Sequence, residues 1–147
     1  MRLLLESESV SKALRLATAA HSGQVDKAGT DYIRHPIAVA EQLYTEEEQT
    51  VALLHDVIED TSTTFEDLTH EGFSDNVLYA VYCLTHKKSE PRDAYLQRVS
   101  ENSLATKVKL ADLKHNSDLT RIPKPTERDF ERAAKYKREI AFLKAHK

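Results

Sequence analysis

The sequence predicts an all-α fold: one compact bundle of about seven to nine helices in a single domain over residues 1–147. Three observations carry this. Apolar residues recur at three- and four-residue spacing along most of the chain, only three glycines interrupt it, and there is almost no strand signal. Val10, Ala13, Leu14, Ala17 and Ala20 make the first helical stripe. GQVDKAGTDY breaks the period and reads as a loop holding Lys27. Pro36 lacks a backbone donor but suits a first helical turn, so a helix over 36–43, through Ile37, Val39, Ala40 and Leu43, sets His35 at its boundary. The next helix reads as 47–60, with Glu46, Glu47 and Glu48 complementing the dipole at its start. Thr63 with Glu66 reads as a capping box opening another helix. Ser74 or Asp75 caps the run through Leu84, and 94–99 is a further short helix. Residues 104–119 form the next, which Ile122-Pro123-Lys124-Pro125 ends as a rigid linker. Thr126, with Asp129 three residues on, opens a charged last helix containing Phe130, Ala133, Ala134, Ile140 and Leu143.

Composition excludes several classes. A net charge of −3 and a pI near 6.2 argue against a nucleic-acid binder, which would show a basic stripe. One cysteine allows no intramolecular disulfide and suits a reducing compartment, and Cys83 in VLYAVYCL reads as inert core. MRLLLE is too short for a signal or membrane segment, so the expectation is a soluble, cytoplasmic protein with no membrane partner. Nothing in the sequence specifies an oligomeric state.

The chemistry concentrates in VALLHDVIEDT. On a helical wheel with His55 as origin, Glu59, Asp56 and Asp60 fall on one side. Val51, Leu53, Leu54, Val57 and Ile58 fill the other. One face is core; the other gathers groups that ligate metals. Alone, these residues read as an ordinary amphipathic helix with a solvated acidic face. Partners lie elsewhere: His35 at a helix boundary, and Asp112 in VKLADLKHN, where Val108, Ala111 and His115 share a face. A carboxylate bordering an apolar stripe is costly unless paired or ligating. His35, His55, Asp56 and Asp112 make a two-imidazole, two-carboxylate set suited to Mn2+, Fe2+ or Zn2+ rather than Ca2+, and without cysteine it does not resemble a closed structural zinc site. Glu59 and Asp60, one turn beyond His55 and Asp56, are placed to orient water and relay a proton. Lys27, Lys109 and Lys114 are candidates to offset phosphate charge.

The order H…HD…D resembles the HD-domain metal-dependent phosphohydrolases. AHSGQVDKAGTDYIRHPIAVA, ALLHDVIEDT, LTHKK and VKLADLKHN, in that order over about residues 10 to 145, are similar to the hydrolase domain of RelA/SpoT-type enzymes and stand-alone small alarmone hydrolases. The resemblance implies an HD-type helical bundle in which His35, His55, Asp56 and Asp112 bind a metal, normally Mn2+. It implies that Glu59 and Asp60 help position and deprotonate the attacking water, and that Lys27 and Asn116 contact a small phosphorylated nucleotide. The implied reaction removes the 3′-pyrophosphate of (p)ppGpp. The synthetase and regulatory parts of long RelA/SpoT proteins have no counterpart in this sequence, so hydrolysis without synthesis is expected.

The sequence also departs from that pattern. Asp26 stands where the family usually has Arg, Thr30-Asp31 replace Glu-Pro, and Asp118 falls close to a usual Arg. Arg stacks on bases and grips phosphate with two bonds, whereas Asp does neither and repels an anion. Two alternatives follow: a phosphohydrolase acting on another phosphorylated nucleotide, and a non-catalytic nucleotide-binding helical protein. The intact Glu59-Asp60 pair weighs against the second. His21 reads as a helix-end histidine, and His115 as either pocket-lining or a satisfied helix residue. Lys87-Lys88 read as a solvated helix end or a phosphate contact, and Tyr32 and Tyr136 as base-stacking or half-buried residues.

Overall fold

Nine α-helices and one short 3-10 helix account for most of residues 3–146, which the computed structural model describes. The start of the N-terminal MRLLLE run lies outside the described residues. In chain order the helices are α1 (Glu8–Ala20), α2 (Arg34–Glu41), α3 (Glu46–Leu54), α4 (Val57–Asp60), α5 (Phe65–His70), α6 (Asp75–Leu84), α7 (Arg92–Ser100), α8 (Ser103–Asn116) and α9 (Glu127–Ala145). The 3-10 helix is Leu119–Arg121. The only β pairing among the described residues is an isolated antiparallel bridge between Val25 and Asp31.

α3 is the axis of the bundle. It packs against α1, α2, α6 and α8, and Val51, Ala52, Leu53 and Leu54 have no exposure. A helix surrounded on all sides is apolar on all sides. Each buried leucine contributes about 1.5–3 kcal/mol by leaving water, so the C-terminal end of α3 is a rigid platform. α8 is the second central helix, in contact with α2, α3, α6, α7 and α9. Ser7, Thr45, Ser74, Asn102 and Thr126 cap their helices through side-chain oxygens; Thr45 with Glu48 and Thr126 with Asp129 form complete capping boxes.

The structure corrects the expected elements in three places. The capping box of α5 is Thr64 with Asp67, not Thr63 with Glu66; both threonines have an acid three residues on, and only the local backbone chooses between them. The helix expected over 47–60 is broken at His55-Asp56. His55 turns its Nδ1 onto the Ala52 carbonyl, the acceptor a continuous helix would offer to the Asp56 amide. The helix expected over 104–119 ends at Asn116, and Asp118 caps the 3-10 turn by accepting from the Thr120 amide at 3.0 Å.

Candidate metal centre and adjoining cavity

Three segments meet at the end of α3. α2 brings His35, the break between α3 and α4 brings His55 and Asp56, and α8 brings Asp112. His35, His55 and Asp112 are buried, and Asp56 is partly so. His35, His55 and Asp56 offer ligand atoms that all lie within 4.8 Å of one another and could hold a metal ion. Asp112 Oδ1 joins them at 2.8 Å from His35 Nε2 and 3.4 Å from His55 Nε2. Asp56 Oδ2 is 3.1 Å from His55 Nε2 and 3.9 Å from His35 Nε2.

These spacings fit donors around a single cation. Ligand atoms with bonds of about 2.0–2.2 Å stand about 3 Å apart at right angles and about 4 Å apart when opposite. His55 Nε2 is the diagnostic atom. It is buried beside two carboxylate oxygens yet makes no hydrogen bond among the described residues. His55 Nδ1 donates to the Ala52 carbonyl, which points Nε2 into the cluster, where it can bind a metal ion in place of a proton.

His35 is oriented in the same way. Its Nδ1 lies 2.7 Å from His115 Nδ1, with the rings stacked at 4.9 Å. Burial, the neighbouring His35 and Arg121 push His115 down to about 4, so His115 is neutral and accepts the His35 proton. This contact directs His35 Nε2 at Asp112 Oδ1, within hydrogen-bond distance. The cluster's charges also call for a cation. Burial opposes the charged form of each group, yet Asp56 and Asp112 hold His55 well above the usual imidazole range. Lys109 and His55 hold Asp112 well below the usual carboxylate range.

Neighbouring side chains fix the carboxylates. Tyr32 donates its hydroxyl to Asp56 Oδ2, Lys109 Nζ donates to Asp112 Oδ2 at 3.0 Å, and Asn116 Nδ2 donates to Asp112 Oδ1 at 3.0 Å. Lys109 is therefore a buried partner of Asp112 and not a phosphate contact. Lys114 is exposed on the groove beside Gln42 and Lys144, away from the cluster. Glu59 and Asp60 sit at the open side. Partial burial, then repulsion from Asp56, raises both carboxyls above their ordinary values, and Glu59 accepts the His86 amide proton. Gln24 Nε2 donates to the Asp60 carbonyl at 3.0 Å, tying the loop after α1 to the end of α4.

That loop walls a cavity of about 250 Å3 that reaches His35 and is lined by Lys27, Tyr32, Asn116, Arg121 and Tyr136 among others. Gly29, at φ +80°, closes the loop's tight turn, a backbone state that costs a side chain dearly. Lys27 is exposed on it and Asn116 faces it from α8, so both expected nucleotide contacts border one cavity. Lys87 instead donates to the Tyr82 hydroxyl at 3.3 Å, as a surface helix end would. His21 is a buried C-cap bonded to Gln24. Sequence reading missed Arg121 and Arg132 as cavity residues; Arg121 lies beyond a helix end that was misplaced, and nothing local marks either.

An HD domain family model matches residues 13–104, more than half of the chain. The zebrafish guanosine-3′,5′-bis(diphosphate) 3′-pyrophosphohydrolase MESH1 is 42% identical over 108 residues, covering 65% of this chain and 59% of that protein. The Haemophilus influenzae guanosine-3′,5′-bis(diphosphate) 3′-pyrophosphohydrolase is 36% identical over 146 residues, 90% of this chain and 21% of that protein. The matches thus span about three-fifths and one-fifth of these relatives. A solved structure described as a metazoan ortholog of SpoT that hydrolyzes ppGpp superposes with a TM-score of 0.72 at 27% identity, over 93% of this chain and 85% of that one.

Proposed function

The chain belongs to the HD-domain family, and from that premise we propose that it is a metal-dependent pyrophosphohydrolase of guanosine 3′,5′-bis(diphosphate)-type nucleotides, releasing the 3′-pyrophosphate to leave GDP or GTP. One observation carries the reading: the unpartnered Nε2 of His55, set among His35, Asp56 and Asp112 beside a cavity bordered by Lys27 and Asn116.

His35, His55, Asp56 and Asp112 are assigned as the ligands, with Mn2+ as the preferred ion and Fe2+ or Zn2+ as substitutes. A divalent ion held there acidifies water and screens phosphoryl charge. The protein's own groups do the rest. Glu59 and Asp60 handle protons: attack of water on phosphorus breaks the bond to the ribose 3′ oxygen, the water gives up a proton, and the 3′ oxygen gains one. A carboxyl raised above its ordinary value is a stronger base, which suits that exchange near neutral pH. Asn116 holds Asp112 in place from the cavity wall, and Lys27 supplies positive charge to the nucleotide. Burial of Cys83, the single cysteine, suits a cytoplasmic setting, and no helix among the described residues is long and apolar enough to cross a membrane.

A second reading, hydrolysis of another phosphorylated nucleotide, is favoured by Asp26 in the same wall as Lys27. Both are tested by incubating metal-stripped protein with and without Mn2+ against ppGpp and a nucleotide panel, with Asp112→Ala as control. Metal-dependent release of pyrophosphate and GDP, lost in the control, is expected. Turnover of a different nucleotide alone moves the function to the second reading.

A further inference from the structure

We propose that Arg121 binds the phosphates of the nucleotide that are not cleaved, making it the residue that selects a 5′-diphosphate; the assignment rests on the hydrolase reading above. The scissile phosphates belong at the metal centre, so phosphates at the other end of a bis(diphosphate) need separate positive charge. The cavity wall offers Lys27, Arg121 and Arg132. Arg132 is already bonded to Asp129. Arg121 is held but not satisfied. Its Nη2 donates to the His115 carbonyl at 3.3 Å, its Nη1 stands 3.5 Å from Asp26 Oδ2 as an ion pair without a hydrogen bond, and its Nε has no partner among the described residues. A guanidinium carries five N–H donors, and only one of these has an acceptor.

Asp26 does not close on Arg121 because its own loop holds it. Asp26 Oδ1 accepts from the Ala28 amide at 2.9 Å and the Thr30 amide at 3.0 Å. The carboxylate therefore steers the guanidinium from a distance without bonding it, and the buried Nε is left without an acceptor among the described residues. Phosphate matches the guanidinium fork with two parallel bonds, which an ammonium cannot reproduce. The same pairing offsets the charge of Asp26, which unpartnered would repel an anion from the cavity.

The test measures binding of GDP and of guanosine to the Mn2+-loaded protein by calorimetry, for the wild type, Arg121→Ala, Arg121→Lys and Arg121→Gln, with ppGpp turnover in parallel. Arg121→Gln keeps a donor for the His115 carbonyl and controls for local structure. The wild type is expected to prefer GDP over guanosine by at least about tenfold. Arg121→Ala and Arg121→Gln should lose that preference with guanosine affinity unchanged, and Arg121→Lys should recover part of it. KM for ppGpp should rise about tenfold in Arg121→Ala, with kcat within about threefold. A wild type without GDP preference, or variants that keep it, overturns the proposal. An Arg121-dependent preference in a protein that does not turn over ppGpp would instead sink the hydrolase reading and leave the phosphate site standing.

Discussion

Lys109→Met separates the electrostatics of the metal centre from its packing. Lys109 is buried with its Nζ 3.0 Å from Asp112 Oδ2 and 5.2 Å from the centre of the Tyr95 ring. At that distance and an effective dielectric of about 20, the attraction to Asp112 is about 5–6 kcal/mol. Desolvation of both groups consumes much of it, but removing one partner leaves the other charged and buried, which costs about 3–5 kcal/mol. Methionine fills nearly the same volume, so the loss is electrostatic and not a cavity. For a domain of this size about 3–5 kcal/mol corresponds to roughly 6–20 °C in melting temperature. We predict that loss in metal-stripped protein. A bound divalent ion neutralises Asp112 in place of Lys109, so the Mn2+-loaded variant should lose less and its metal-induced gain in melting temperature should exceed the wild type's. Thermal melts of both proteins, stripped and loaded, supply the four values required. An equal or smaller metal-induced gain in Lys109→Met would refute the placement of the ion next to Asp112.

Glu59→Gln should reduce turnover by about 10²–10⁴-fold with metal affinity retained. In the wild type Glu59 acts deprotonated and its folded value is raised, so activity should fall on acidification at a pH above 4.5, the carboxyl's ordinary value; a kcat profile flat down to that pH counts against the role. His115→Phe keeps a ring against His35 but removes the Nδ1 acceptor, and metal affinity should drop about 10–100-fold in a chelator competition. Burial raises the Glu48 carboxyl, but the Tyr44 and Thr45 amides and Lys107 outweigh this and lower it below 4.5. Its charge therefore stabilises the fold above that pH and ceases to do so as pH falls through the lowered value. Glu48→Gln should be less stable than the wild type at pH 7 and equal to it in strong acid, as urea titrations at the two pH values will show.

Most helices were legible because each needs only local information: an apolar stripe every three or four residues and a capping oxygen at the start. α1, α6 and α9 follow their stripes, and Thr126 with Asp129 caps α9 as their spacing predicts. Where two local solutions were equally good, as for Thr63 with Glu66 against Thr64 with Asp67, the sequence carried no means of choosing. The grouping of His35, His55, Asp56 and Asp112 followed from residue types, order and a family resemblance, since ligands from separate segments leave no periodic trace.

What tertiary structure alone decided concerns directions and partners. The break at His55-Asp56 depends on an imidazole claiming the Ala52 carbonyl, and that turn aims Nε2 at the cluster. Lys109 has the composition of a surface residue, yet it is buried against Asp112 because α8 is enclosed by five other helices. Asp26 reads as a repulsive substitution until Arg121, brought from 95 residues away in sequence by the turn after α8, stands beside it. The sequence by itself determined the helical class, the cap of the last helix and the chemical types at the centre, all of which depend on neighbours along the chain. The orientation of each ligand and the charge balance of the cavity depend on neighbours in space, and only the packed fold supplies those.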